Sequence, residues 1–232
     1  DGSINLIGSL TISQALRFAQ NLSGTVTISN TSATAVELNN LDTTSDAVFD
    51  VSLLTAVSGV ASALIQAYAS LGLEGLGDEN VTVTDTVDVA QLKAINEATT
   101  GAITLANTTA ALSGSAVDLV AALDGITGYT GDVTVTDTVD VAQLKAINNA
   151  TDGNITLEVT DGALSGNAED LLAAFAGVVT RHTGTITVTD APTVEQLKAI
   201  NNATSGAITL EVTNGALSGN AEDLLAAFAG VV

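Results

Sequence analysis

The sixteen residues Val81–Asn96, VTVTDTVDVAQLKAIN, recur letter for letter at Val133–Asn148, and a close variant, ITVTDAPTVEQLKAIN, fills Ile186–Asn201. Val81 to Val133 is 52 residues, and Val133 to Ile186 is 53. An offset of 53 carries Val141–Val179 onto Val194–Val232, with only Ala142, Asp152, Asn154 and Asp161 replaced, by Glu195, Ser205, Ala207 and Asn214. Copies this similar need the same neighbours, so a core is added unit by unit instead of being closed once around a centre.

Each period holds two smaller units, a strand and then a helix. VTVTD alternates apolar residues with Thr, the pattern of a half-buried strand, so Val133 and Val135 point inward and Thr134 and Thr136 outward. A helix start follows, because Asp140 precedes Gln143 by three residues, a capping-box spacing repeated as Asp88/Gln91 and Thr193/Gln196. Val141, Leu144 and Ile147 form its apolar stripe, and NATDG ends it. The second unit begins at GNITLEV, with Ile155 and Leu157 facing the core. ALSG reads as a short extra strand before NAEDLLAAFAG, where Asn167 is the N-cap and Glu169 and Asp170 suit the helix dipole. Leu171, Leu172 and Phe175 are its buried face, and Gly177 is its expected C-terminal stop.

The same template extends into the less regular N-terminal third. Thr11/Gln14 and Thr34/Glu37 keep the cap spacing, after the apolar segments INLI and TVTI. In AVFDVSLLTAVSGVASALIQAYASLG, Phe49 and Val51 take the inward strand positions, while Val60 stands where a cap is wanted. Strand starts fall near Ile4, Thr25, Ala47, Val81, Ala102, Val133, Asn154, Ile186 and Ala207, nine strand–helix units in all.

Strands joined through helices must be parallel, because each crossover returns the chain to the same end. A doubly wound sheet buries both faces, and its strands are continuous apolar runs. VTVTD and TVTIS are not. The expected fold is therefore an α/β repeat solenoid, with a stacked parallel sheet on one side and short helices on the other. It divides into divergent repeats at 1–80 and repeats at 81–132, 133–185 and 186–232 of a single continuous solenoid. The order and length of the units are those of leucine-rich repeats, but LxxLxLxxN is missing, so the analogy is architectural only.

Hydrophobic residues make up 46% of the 232 and charged residues 13%, which argues against disorder despite a net charge of −21. Five basic residues against 26 acidic ones leave no phosphate-binding footprint, so nucleic acid is not an expected partner. With no Cys, neither disulfides nor thiolate metal sites are available. No apolar run approaches the ~20 residues of a membrane span, so no membrane insertion is expected. The chain opens on Asp1 without a signal-like segment, and its final string, AEDLLAAFAGVV, runs straight on into TRHTGTITVTD in the earlier copy. Both ends are expected to be cuts within a longer polypeptide.

Chemistry is sparse. His182, the only histidine, falls beside Arg181 in a connector and reads as a loop residue without a catalytic role. Asp85, Asp88, Asp137, Asp140 and Asp190 recur at matching points, where capping and solubility explain them. A calcium site, if the array carries one, falls at Asp85/Asp88 and Asp137/Asp140, with Asp161 as a further candidate, although no calcium-binding nonapeptide or EF-hand loop is present. The pairs Thr25/Thr27, Thr82/Thr84, Thr134/Thr136 and Thr187/Thr189 form a hydroxyl face of the kind ice-binding solenoids carry, though Glu158 and Glu211 interrupt it. Catalytic carboxylate pairs need two distinct environments, and repeated copies supply only one, so the chain is not expected to be an enzyme or to hold a resident cofactor.

The phrases QLKAINNATSGAITL (Gln196–Leu210) and ALSGNAEDLLAAFAG (Ala163–Gly177 and Ala216–Gly230) make about Val81–Val232 similar to the tandem arrays of giant secreted or cell-surface proteins of cyanobacteria and other marine bacteria. That resemblance implies an exported, structural or adhesive setting and imports no activity. The expected role is a spacer, filament or lattice element at the cell surface or outside the cell, with flanking repeats or head-to-tail copies of itself as partners. The alternative is an adhesin whose sheet face grips a polymer or another cell.

Overall fold

The structure, a computed structural model, describes residues 8–232. The strand start expected at Ile4, within INLI, lies outside the described residues. The chain forms two compact units, Asp1–Thr108 with Asp124–Thr127, and Thr109–Leu123 with Gly128–Val232.

In the first unit the order is β1 (Ser9–Leu10), α1 (Ile12–Phe18), β2 (Thr25–Ile28), β3 (Ser32–Thr34), α2 (Ala35–Thr44), β4 (Val48–Asp50), β5 (Ala56–Gly59), α3 (Ala61–Tyr68), β6 (Leu73–Glu74), β7 (Asn80–Val83), α4 (Val89–Ala98) and β8 (Ile103–Leu105). The second unit holds β9 (Leu112–Gly114), α5 (Ala116–Leu123), β10 (Val133–Val135), α6 (Val141–Ala150), β11 (Ile155–Leu157), β12 (Leu164–Gly166), α7 (Ala168–Phe175), β13 (Ile186–Val188), α8 (Val194–Ala203), β14 (Ile208–Leu210) and α9 (Ala221–Ala227). Every ladder between these strands is parallel, as crossovers through helices require.

The strands do not build one continuous sheet. They form four: β1-β2-β4-β6 and β3-β5-β7-β8 in the first unit, and β9-β10-β11 and β12-β13-β14 in the second. The cause lies in segments between helices that make two strands, β2 and β3, β4 and β5, and β6 and β7 in the first unit and β11 and β12 in the second, whose members join different sheets. β11 pairs with β10, whereas β12 pairs onward with β13. At Leu164–Gly166 the Leu-Ser-Gly phrase is thus a strand, as its sequence suggests, but it opens a new sheet instead of extending the old one, and at Leu217–Gly219 the same phrase joins no ladder.

Burial follows the alternation. Val133 and Val135 are buried, Thr134 is half-buried and Thr136 exposed. Leu144 and Ile147 are fully enclosed, each contributing about 1.5–3 kcal/mol. Phe49 and Val51 also point inward. Within each unit successive helices pack on one another, α1 to α4 and α5 to α9. Among the described residues no helix is long and apolar enough to cross a membrane.

Gly177 is not a left-handed stop; positive φ occurs at other glycines, such as Gly125 and Gly128. A Cβ at Gly177 would instead lie 2.3 Å from Asn148 Oδ1, so the position is kept small by the neighbouring helix.

Candidate functional site

The recurring polar residues converge on the contacts between one turn of chain and the next. The capping boxes form as their spacing requires: Asp88 with Gln91, Asp140 with Gln143 and Thr193 with Gln196, as well as Thr11 with Gln14 and Thr34 with Glu37. Asn167 caps α7 by accepting from the Asp170 amide.

The other aspartates cap a helix that is not their own. Asp85 accepts from the Ala61 N–H at 2.8 Å, Asp137 from Ala116 at 2.7 Å and Asp190 from Ala168 at 2.9 Å. Asn30 does the same for Ile12 at 2.9 Å. Helix α3 shows why this matters. Its N-cap residue is Val60, which offers no side-chain acceptor, and Asp85 from the following turn takes over the task. The calcium candidates Asp85, Asp88, Asp137 and Asp140 are therefore each engaged at a helix N-terminus, by two different routes. Among the described residues no cluster of three or more metal-ligating side chains forms.

Asn and Lys bind neighbouring helices. The amides of Asn39, Asn148 and Asn201 donate to the carbonyls of Ala63, Ala173 and Ala226. Asn96 donates likewise to Asp124. Lys145 pairs with Asp170, and Lys198 with Asp223 at 2.6 Å. These bonds hold the Asp170 and Asp223 carboxyls below the usual carboxylate range, the lysine first and Asn167 or Asn220 second.

The third device is a corner made by Thr-x-Gly. Thr99 donates its hydroxyl to the Glu79 carbonyl at 2.8 Å, and Thr151 to the Gly131 carbonyl at 2.7 Å. Thr204 reaches the His182 carbonyl at 3.1 Å. Each hydroxyl also accepts from the glycine two residues on, Gly101, Gly153 or Gly206. A Cβ on those glycines would sit 2.2, 2.2 and 1.8 Å from the carbonyl oxygens of Glu79, Gly131 and Gly184. No L side chain fits there.

Each corner is filled differently. In the first unit the buried Glu79 carboxylate takes the Tyr68 hydroxyl and the amides of Gly77 and Asp78. Burial first and Glu79 second push the Tyr68 phenol far above its ordinary value. In the second unit Tyr129 donates to the Ala110 carbonyl, and burial, with Asp132 behind it, lifts its pKa to about 12. His182 occupies the matching place one repeat later. It is buried, 2% exposed, bridged to Thr204, with its ring 5.7 Å from that of Phe175. It is a core residue and not the loop residue its connector suggested. Burial holds its pKa below the imidazole norm, against a weaker pull from the Gly162 carbonyl and Asp161, although neither ring nitrogen makes a hydrogen bond of full geometry.

The hydroxyl face is real in part. Ser58, Thr82 and Thr104 are aligned across one sheet, Ser113, Thr134 and Thr156 across another, and Ser165, Thr187 and Thr209 across a third. The first row gains Thr34, opposite Ser58, and is four hydroxyls long, while the other two are three long and each ends with its sheet. The buried Thr-x-Gly corner was missed from sequence, where NATDG reads as an ordinary turn. Its signal was the fixed Thr-x-Gly spacing at Thr99, Thr151 and Thr204.

No protein-family model matches the chain, and no curated protein matches it.

Proposed function

We propose that the chain is a non-enzymatic structural repeat module, a solenoid-like array of strand–helix turns serving as spacer, filament or lattice element of a long extracellular or cell-surface protein. One observation carries this: the polar groups that recur with the repeat, Asp85/Asp137/Asp190, Asn148/Asn201, Lys145/Lys198 and Thr99/Thr151/Thr204, are engaged in fastening one turn to the next or closing the corner between them. A group committed in this way is not free to act on a substrate. In such an array stability grows with the number of turns. Inserting one further 53-residue copy of Gly153–Ser205 after Ser205 should raise the urea m-value in proportion to the added length. A lengthened chain that fails to fold, or an unchanged m-value, would defeat the proposal.

The exposed Ser/Thr rows favour a second role, adhesion to a polymer or cell surface. Replacing Thr82, Thr134 and Thr187 by Val separates the two: retention on a glycan array or cell layer falls if the rows are adhesive, and is unaltered if the chain only spans distance.

A further inference from the structure

Between α6 and α7 of the second unit lies an open groove of about 410 Å³, within the range of about 300–1,000 Å³ that small-molecule sites occupy. Val141 and Ala142 form its apolar floor, and Lys145, Asn149, Ser165 and Asp170 its polar rim. Gly166 keeps the floor open. A Cβ there would come within 3.3 Å of Val141 Cγ1, so a side chain would sit on the valine. The neighbouring Asn148 is engaged by the Ala173 carbonyl, but Asn149 and Ser165 stand at exposed positions. Lys145 keeps its bond to Asp170, and its ammonium has donors left over. The rim therefore offers an ammonium, a carboxylate, an amide and a hydroxyl around one apolar patch.

We infer that this groove binds a neutral saccharide, with the C–H face of a pyranose ring on Val141 and Ala142 and its hydroxyls bonded to the rim. Charge selects that class. A net charge of −21 repels an anionic ligand, and Lys145 disfavours a cationic one within the groove. An uncharged molecule that both donates and accepts fits what remains. A sugar hydroxyl gives a hydrogen bond to Asp170 and takes one from Lys145, Asn149 or Ser165. The next copy of the repeat alters the groove at one point, because Glu195 stands where Ala142 does. There the Lys198 ammonium is held above its ordinary value by Asp223 first, with Glu222 and Glu195 adding to it. A carboxylate has thus replaced part of the floor, and the α6–α7 groove differs from its counterpart. Of the Ser/Thr rows only Ser165 reaches the groove. The site goes beyond the proposed function and does not depend on it.

The experiment follows amide chemical shifts of the isotope-labelled 232-residue chain during titration with three neutral sugars: methyl β-D-glucopyranoside, methyl β-D-galactopyranoside and methyl α-D-mannopyranoside. Glucuronate and glucosamine serve as charged controls. With no aromatic ring in its lining, the groove should hold its ligand with a Kd on the order of 1 mM. Saturable shifts confined to Val141–Asn149 and Ser165–Asp170 are expected with at least one neutral glycoside. Ala142→Glu should weaken binding about tenfold or more, and Asn149→Ala about threefold. The first substitution copies a residue that the next repeat already carries, so it should not cost the fold. Thr134→Val, in a row that does not line the groove, should leave affinity unchanged. The inference falls if none of the three glycosides gives a saturable shift, or if a charged sugar binds more tightly than all of them. It falls equally if Ala142→Glu and Asn149→Ala leave the shifts as they were. Loss of binding in Thr134→Val would assign the sugar to the rows and overturn the groove.

Discussion

The corner in the first unit and the corners in the second solve one problem with different side chains. At Glu79 a buried carboxylate, gripped by Tyr68 and two backbone amides, fills the space. At Gly131 and Gly184 there is no side chain, and the aromatic ring arrives from Tyr129 or His182 instead. The backbone contact recurs with one shift, the accepting carbonyl lying 20 residues back from Thr99 and Thr151 and 22 back from Thr204. A Thr hydroxyl meets a carbonyl of the preceding turn, and a glycine two residues later lets two main chains approach closely. The difference teaches that main-chain contact defines the turn, while the filling of the corner is free to vary so long as its polar atoms are met.

The strongest test of that shared backbone is Gly153→Ala beside Gly101→Ala. Each new Cβ would lie 2.2 Å from a carbonyl oxygen that cannot swing away. Both should cost about 3 kcal/mol or more in urea denaturation; a mild effect in one unit only would break the equivalence. Next comes Glu79→Ala, which strands the Tyr68 hydroxyl and two amides. A loss of about 2–3 kcal/mol is expected, with increased hydrogen exchange confined to the first unit. Thr151→Val and Thr99→Val follow at about 1–3 kcal/mol each, for a buried carbonyl and a glycine amide left without their partner.

Acid sharpens the contrast further. Burial lowers the His182 pKa in the fold, whereas its unfolded form binds a proton near the ordinary value of 6.5. The unfolded chain therefore binds more protons as pH falls below that value, so this corner loses stability progressively from about pH 6.5 down to its lowered folded pKa. Unfolding free energies at pH 7.5 and 5.5 should differ more for the native chain than for His182→Tyr, which copies the Tyr129 corner. The smallest effect belongs to Lys145→Ala. Its pair with Asp170 lies at the surface, and whatever stability it adds should vanish on raising the salt.

Much of this architecture was legible in the letters. Period-2 alternation at Val133–Val135, the cap spacings at Asp88 and Asp140, and parallel pairing follow from local chemistry that a short window contains. Separate sheets do not, because whether Leu164–Gly166 joins β11 or starts afresh is decided by pairing with β13, twenty residues away. Asp85 and Asp137 looked like solvated or ion-binding acids for the same reason: their partners, Ala61 and Ala116, sit a full turn earlier. His182 was misjudged because the connector's sequence varies between copies, yet the corner it fills does not.

The caps delivered from a later turn carry a temporal consequence. Asn30, Asp85, Asp137 and Asp190 lie 18, 24, 21 and 22 residues beyond the amides they satisfy. On a ribosome each of those helices emerges about one to five seconds before the carboxylate or amide that completes it. Growth of the chain is thus a sequence of provisional helices, each made permanent by its successor.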